Sequence, residues 1–516
     1  MQESPLSYLL RSKSWLAALS VVLPVLFGAS AAKADPEAKP EAAAAAPAPA
    51  AAAAEPEAKP ESVAPAAAPA AAPASPAPAA VPVAPAGVAP AKDVSQLLAQ
   101  SGFVDAGPGG FIVRSADKSA QLRFHLQIQG DGRFWRGTTP TKVTETFFLR
   151  RAIPWIDGTL PGGISFLVAP DFAQIPTTNS AAQGNAAINL PDAYFQLKIV
   201  DELQLRFGKF RAPIGLERLQ PTGQLFFNEF ALATELTPLR DLGAQLQGEI
   251  GGGYVGYAAG VFNGAGDNAY TDIDPSRYKD VEGLVYVRPF GPAKPELFQY
   301  AVFGIAGTAG RRRGGPQAAG QSTNLPTYKS PGGASIFSYK TGAKLDPTDT
   351  VTASGQQRRF NVHGYYSIGP AGILAEYIYS QQQVGLNGSN LVVGNQGFTA
   401  EASVFLFGGK ASYSAATITS PFDLKAGTYG ALELVGRVSQ LKFDESAFGA
   451  KSDDTKPVDE AASVKKATEL AAGFAYYWNR NVRFLFSYNH TLYEGGAAGA
   501  DRPAENLFTG RAQLNY

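Results

Sequence analysis

The chain contains no cysteine in its 516 residues. That excludes a disulfide scaffold, a thiolate zinc site and a cysteine nucleophile. Three histidines leave almost no room for an imidazole metal cluster, and no cofactor is expected. Neither sign of charge is in excess, with Lys+Arg 44 against Asp+Glu 44, so the basic footprint of a nucleic-acid binder is missing. Long apolar runs are scarce, and the mean hydropathy is -0.08, which excludes a bundle of membrane helices. Gly251-x-Gly253-x-x-Gly256 has dinucleotide-binding spacing, but it lies in a tight turn entering a strand with no helix behind it.

What is present is very uneven along the chain. Residues 1–34 read as a secretory signal: Arg11 and Lys13 precede the apolar stretch Trp15–Phe27, and Ala32-Lys33-Ala34 supplies a small-x-small cleavage pattern. The alternative is a single anchoring helix, against which Pro24 and the cleavage pattern argue. Residues 35–92 are Ala, Pro, Glu and Lys, almost without large apolar side chains. Such a tract cannot bury enough surface to offset ordering entropy, so it is expected to be a disordered, extended tether. It is either a spacer or an arm reaching the cell wall. A short periplasmic lead-in follows at 93–119.

From residue 120 the pattern is strands. In 121–134, Leu122, Phe124, Leu126, Ile128 and Phe134 alternate with Gln121, Arg123, His125, Gln127, Gln129, Asp131 and Arg133. Period-two alternation of that length suits a tilted membrane-spanning strand. The same alternation recurs in 192–199, 397–407 and 481–489, and the chain ends on Tyr516 with Leu514, Ala512 and Phe508 on one face. The approximate spans are 120–135, 144–158, 162–173, 187–200, 202–211, 241–250, 253–263, 280–290, 297–308, 356–367, 371–383, 397–410, 428–441, 467–479, 481–493 and 505–516. An all-β, antiparallel transmembrane β-barrel of sixteen strands over 120–516 accounts for them. Short turns fall at even-to-odd joints and long loops at odd-to-even joints, as such barrels require. One link, 411–427, is long where a short turn is expected. A run near 335–340 could be a further strand, but an even count leaves it in a loop. A soluble β-sandwich is the rival, and its strands would not normally be this long with Arg and Gln on the second face.

A barrel of this size leaves an aqueous channel. Lumen-facing parity falls on Arg123, Arg133, Lys198, Arg206, Arg288, Arg359, Arg437 and Arg483, and on one of Arg150 and Arg151; Asp131, Asp192, Glu282, Glu401, Glu433 and Glu469 are their acidic counterparts. A ring of arginines favours anions; Arg and Glu lining a wet wall in pairs is the even alternative. The loop 212–240 follows the fifth strand and carries Leu225-Phe226-Phe227 and Phe230, too apolar for an exposed loop. It is expected to fold inward as the third external loop and narrow the pore. Lys209, Arg211, Arg218 and Arg240 flank it, against Glu217, Glu229, Glu235 and Asp241.

Several motifs appear in a familiar order. They are GGFIVRSAD (109–117), Arg150-Arg151, Leu190-Pro191-Asp192-Ala193-Tyr194, GKFRAPIGLERLQ (208–220), Arg240-Asp241-Leu242-Gly243, Gly260-Val261-Phe262-Asn263-Gly264 and Ala375-Glu376-Tyr377. Together, over about 105–516, they resemble the phosphate-selective porin O/P family of Gram-negative outer membranes. The resemblance implies a sixteen-stranded barrel in outer-membrane lipid, a homotrimer, and inorganic anions such as phosphate passing arginines and a loop lysine. Carried over by motif, Arg150 and Arg151 stand where a channel-lining pair is expected, with Lys209, Arg211 and Arg240 beside them. The family usually has Glu-Arg in the middle of the loop, whereas this chain has Glu229-Phe230, which removes a basic residue.

The reading is a porin for passive diffusion of small solutes, anion-preferring and with phosphate or polyphosphate as candidate solutes. The alternatives are a non-selective porin and a barrel that only anchors the tether to the cell wall. An outer-membrane hydrolase is a third class, but His125, His363 and His490 lie on different strands with no nucleophile motif beside them.

Overall fold

A computed structural model describes residues 103–107, 110–137, 144–173, 188–270, 278–291, 300–315, 322–343, 346, 348–449 and 456–516. The signal, the tether and the start of the lead-in lie outside the described residues. No described helix is long and apolar enough to cross a membrane.

Sixteen strands form the wall: β1 (Gln121–Trp135), β2 (Thr146–Leu160), β3 (Ile164–Asp171), β4 (Asn189–Val200), β5 (Leu203–Phe210), β6 (Asp241–Ile250), β7 (Val255–Phe262) and β8 (Asp280–Val287) come first. They are followed by β9 (Val302–Arg313), β10 (Thr352–Ile368), β11 (Ala371–Leu386), β12 (Ser389–Phe407), β13 (Ala431–Lys442), β14 (Val464–Tyr477), β15 (Val482–Ala497) and β16 (Glu505–Asn515). Each pairs antiparallel with the next, and β16 returns to β1 with Leu507 opposite Trp135 and Asn515 opposite Gln127. Closure leaves no unpaired edge, which a sheet in hydrocarbon requires. A short hairpin, Phe103–Gly107 with Gly110–Arg114, adds to the lower end of β1 at Gln121–Phe124.

Burial is inside-out relative to a soluble protein. Phe147 is 80% exposed, and Val281, Phe303, Ile305, Val261, Leu406 and Phe486 also face outward. Gln129, Asn361, Glu401, Arg437, Glu469 and Arg511 are buried on the inner face. Strand alternation sends every second side chain to lipid, and the apolar set has taken that side. Tyr300, Tyr429, Trp478 and Tyr516 stand exposed at strand ends on the short-turn side, where aromatic rings suit the headgroup region.

The sixteen expected spans each overlap one strand, though the ninth is shifted to Val302–Arg313 from the expected 297–308. Strands β11 and β12 run on to meet at Asn387-Gly388, whose φ values of 48° and 74° make the tight primed turn that Asn-Gly favours. The run near 335 forms a small hairpin, Thr327–Lys329 with Ser335–Ser338, off the barrel wall.

The lumen is filled by more than the one inward loop that was expected. Beside β11–β15, its external half holds a packed apolar core. Leu232 and Leu236 of the third external loop meet Tyr328, Ile336 and Phe337 of the fifth, Phe443 and Phe448 of the seventh, and Ile378, Val384, Val393 and Leu441 of the wall. Phe337 stacks on Phe443 with centroids 4.2 Å apart. The loops folded inward because their apolar residues had no other surface to cover.

Candidate functional site

The third external loop, 211–240, lies inside the barrel and is buried over nearly its whole length. Its anchors come from several sides. The Glu376 carboxylate of β11 accepts the N–H groups of Leu216 (2.8 Å) and Glu217 (3.1 Å), satisfying the start of the helical turn Leu216–Leu219. Arg437 of β13 donates to Glu401 (3.1 Å), Glu469 (2.8 Å) and the Glu229 carbonyl (2.9 Å), and lies 3.7 Å from Glu217. From β15 and β16, further round the wall, Arg483 donates to the Leu225 carbonyl at 3.2 Å and Gln513 to that of Gly223 at 2.8 Å. A Cβ on Gly223 would lie 2.5 Å from Nε2 of Gln127, so a larger residue there would have to displace that side-chain amide. The loop closes on itself where Glu217 accepts the Ala231 N–H at 3.0 Å.

Arg150 and Arg151 both project inward, where strict alternation admits one. A bulge in β2 places Gln129 opposite Arg151 and Gly130 opposite Leu149, leaving Arg150 as the extra residue. Phe147 and Leu149 are exposed before it, and Ile156 after it. Arg150 makes a two-pronged pair with Glu229, one bond being 2.8 Å, and Arg151 donates to Gln129 at 2.7 Å. The loop carboxylate therefore occupies the fork that an anion would use.

Under the loop lies a cavity of about 1140 Å³ that opens toward the short-turn side, lined by Arg480, Asn481 and the terminal Tyr516. Its charged lining is Arg206, Arg211, Arg240 and Arg480 against Asp192 and Glu249, with His125 in addition. Arg240 is paired with Asp192 at 3.1 Å. Arg211 instead donates to the carbonyls of Leu219 (2.8 Å) and Gln220 (2.6 Å), and Arg206 to Gln196 (2.8 Å), beneath Tyr194. Their hydrogen-bond partners are neutral, and the Asp192 carboxylate in the same cavity is hydrogen-bonded to Arg240 rather than to either of them.

The other candidates are scattered. Arg123 bonds Asp157 at 2.7 Å and Arg288 bonds Glu249 at 2.9 Å, both near the short-turn end. Arg133 donates to the Gly332 carbonyl between the rings of Trp135 and Phe148. Arg218 is 1% exposed and staples the loop through the Thr234 carbonyl, with Phe230 stacked 4.4 Å away, so it does not reach the water-filled wall. Lys209 is buried over the ring of Tyr270, on the register of Ala193 and Leu242, and does not line the cavity. Two arginines absent from the sequence assignment pair on the wall, Arg511 with Asp131 and Arg312 with Asp280, while Arg359, assigned to the lumen, pairs with Asp267 of the fourth external loop. Arg511 shares the inward parity of Gln513 and was there to be found; Arg312 lies beyond the expected end of its strand. Among the described residues no cluster suits a metal ion.

Residues 122–516 match the profile described as phosphate-selective porin O and P. The chain belongs to that family. This porin is thus a β-barrel channel protein of the outer membrane, its exterior against lipid and its lumen a route for passive diffusion. No curated protein matches it. Among solved structures it is similar to the outer-membrane channel DcaP of Acinetobacter baumannii, with TM-score 0.48, 9% identity, 79% of this chain and 100% of that one covered. It is also similar to OmpT of Vibrio cholerae (0.44, 13%, 77% and 98%) and to OmpF of Salmonella typhi (0.45, 11%, 77% and 98%).

Proposed function

We propose that this porin prefers anions without being strictly selective for phosphate. The observation that carries the reading is the cavity below the loop, where four arginines face two carboxylates and Arg206 and Arg211 hydrogen-bond to neutral acceptors. Guanidinium groups in a confined, partly apolar vestibule raise the local concentration of anions and hold them weakly enough to release them. Strict phosphate selectivity needs several uncommitted donors converging on one small anion. Here Arg150 is spent on Glu229, and Phe230 stands where a further basic residue would be. Export by a cleaved signal at 1–34 and assembly as a homotrimer belong to the same reading.

The test is the reversal potential of the purified porin in a planar bilayer under a chloride gradient, repeated with added phosphate. An anion-selective potential is expected, and Arg206→Ala with Arg211→Ala should lower the anion-to-cation permeability ratio about two- to threefold. Arg150→Ala should change it less. A cation-selective or unselective wild-type pore overturns the anion preference and leaves a general diffusion porin.

A further inference from the structure

Along the outer face of β9 the exposed residues run Phe303, Ile305, Ala309, Arg311 and Arg313 toward the external loops. Along that of β10 they run Val362, Phe360, Arg358 and Gln356 in the same direction. Both series change from apolar to basic at one level, because Ala309 lies opposite Arg358 and Arg311 opposite Gln356. Arg311 and Arg358 are therefore diagonal neighbours on one face, about 7–8 Å apart, with Arg313 two positions further on. The Arg311 guanidinium lies over the ring of Tyr278 at 5.6 Å.

That level is where lipid head groups begin. From Val302 at the short-turn end, Arg311 is nine residues along β9, which at about 3.4 Å each and a tilt of about 40° is a climb of about 23 Å. The apolar band of such a barrel is roughly 25 Å tall, so Arg311 and Arg313 stand at its external edge.

Other exposed cations of this rim have a counter-charge: Lys442 pairs with Glu445 at 3.1 Å, and Lys466 pairs with Glu494. Among the described residues no carboxylate pairs with Arg311, Arg313 or Arg358, and no Asp or Glu stands on the outer face of β8–β12. The polar neighbours there are neutral, with Gln381 opposite Arg358. Three like charges at one level repel one another, and the lipid side offers one partner of opposite sign, a head-group phosphate.

We propose that the outer rim of β9 and β10 is a binding site for a phosphorylated lipid of the external leaflet. Arg311, Arg313 and Arg358 present forked donors to the phosphate oxygens, and the acyl chains run down over Phe360, Ile305 and Phe303. The site lies on the outside of the barrel and is independent of what the channel passes.

Native mass spectrometry of the detergent-solubilised porin titrated with lipid A, a bisphosphorylated glycolipid, reads the site. The wild type should bind it about tenfold more tightly than the same lipid stripped of phosphate. The triple variant Arg311→Gln, Arg313→Gln, Arg358→Gln should lose that preference, while Lys442→Gln with Lys466→Gln should keep it within about twofold. Equal binding of the two lipids by the wild type overturns the site, as does an unchanged preference in the triple variant. Displacement of lipid A by millimolar inorganic phosphate would assign the arginines to a free anion and overturn the lipid reading. If the triple variant does not fold, Arg358→Gln alone should lower the preference about threefold, and no change in it overturns the proposal.

Discussion

The two ends of the lumen obey different rules. Toward the long loops, β11–β15 enclose side chains as tightly as a soluble core, with Ile336, Phe337 and Leu236 all fully buried. Toward the short turns, the same barrel encloses a polar cavity in which Tyr194, Arg206 and Arg211 remain partly accessible. Wall parity is identical at both ends, so the strands do not cause the difference. The loops do: the third, fifth and seventh external loops carry enough Leu, Phe and Tyr to fill their end, whereas on the other side, among the described residues, the turn 408–430 enters with the uncharged stretch Ser414–Ile418. A barrel of fixed strand number therefore does not fix its pore; the loop composition does.

The charged groups split along the same line, which gives the largest expected effect. Arg437 is completely buried among Glu217, Glu401 and Glu469, which are themselves no more than 1% exposed. Arg437→Ala leaves three carboxylates without their cation and should destabilise by roughly 3–5 kcal/mol, the range for breaking a buried pair. The heat-induced unfolding midpoint of the detergent-solubilised barrel checks it. Removing Arg206, whose acceptor is Gln196, leaves no buried charge behind and should hardly move that midpoint. Equal losses for the two variants would mean that the ends of the lumen are not energetically distinct.

Truncating one aromatic side chain at each end sharpens the contrast. Phe337 is 0% exposed and touches Tyr328, Tyr339, Phe443 and Phe448, so Phe337→Ala should cost about 3–5 kcal/mol. Trp155 already borders the cavity and stacks on His125, at 4.7 Å. Its replacement by Ala enlarges an existing space and should cost about 1 kcal/mol. Protease sensitivity of the fifth external loop in intact outer membranes reports the first variant, and the unfolding midpoint reports both.

Much of this was legible beforehand, for a physical reason. Period-two alternation is a local property, so Leu122, Phe124 and Ile128 announced the wall of β1 without knowledge of its neighbours. The inward fold of 211–240 was legible too, because Leu225-Phe226-Phe227 cannot stay in water. What was not legible depends on contacts distant in sequence. A bulge shifts parity by one residue, so nothing near Arg150 and Arg151 tells that both turn inward. The apolar residues of 325–351 and 443–464 look like ordinary loop residues until they meet across the lumen. The carboxylate that neutralises Arg150 comes from the loop, 79 positions away, and those closest to Arg437 come from the two flanking strands, 36 and 32 positions away. The Asn387-Gly388 turn is the exception: its signal was local and was passed over.

The smallest expected effect concerns how firmly the packed end stays shut. Glu235, on the turn Leu232–Leu236, accepts from Asn268 of the fourth external loop at 2.9 Å and from the Lys329 N–H of the fifth at 2.9 Å. Burial pushes its carboxyl up to about 7, against the opposing pull of the Lys329 N–H and of Arg218. A carboxyl whose folded value lies above its unfolded one holds its proton more tightly in the packed state. Its contribution to packing is then complete below the ordinary carboxylate range and is lost as pH rises through about 7. Open-channel noise from loop excursions should therefore grow between about pH 5 and pH 8 in the wild type. In Glu235→Gln, which stays neutral and keeps an acceptor for both donors, the noise should be low and flat across that range. Noise that still rises with pH in Glu235→Gln would place the sensitive group elsewhere. Noise that is flat in both proteins would mean that the packed end is held by its apolar contacts alone.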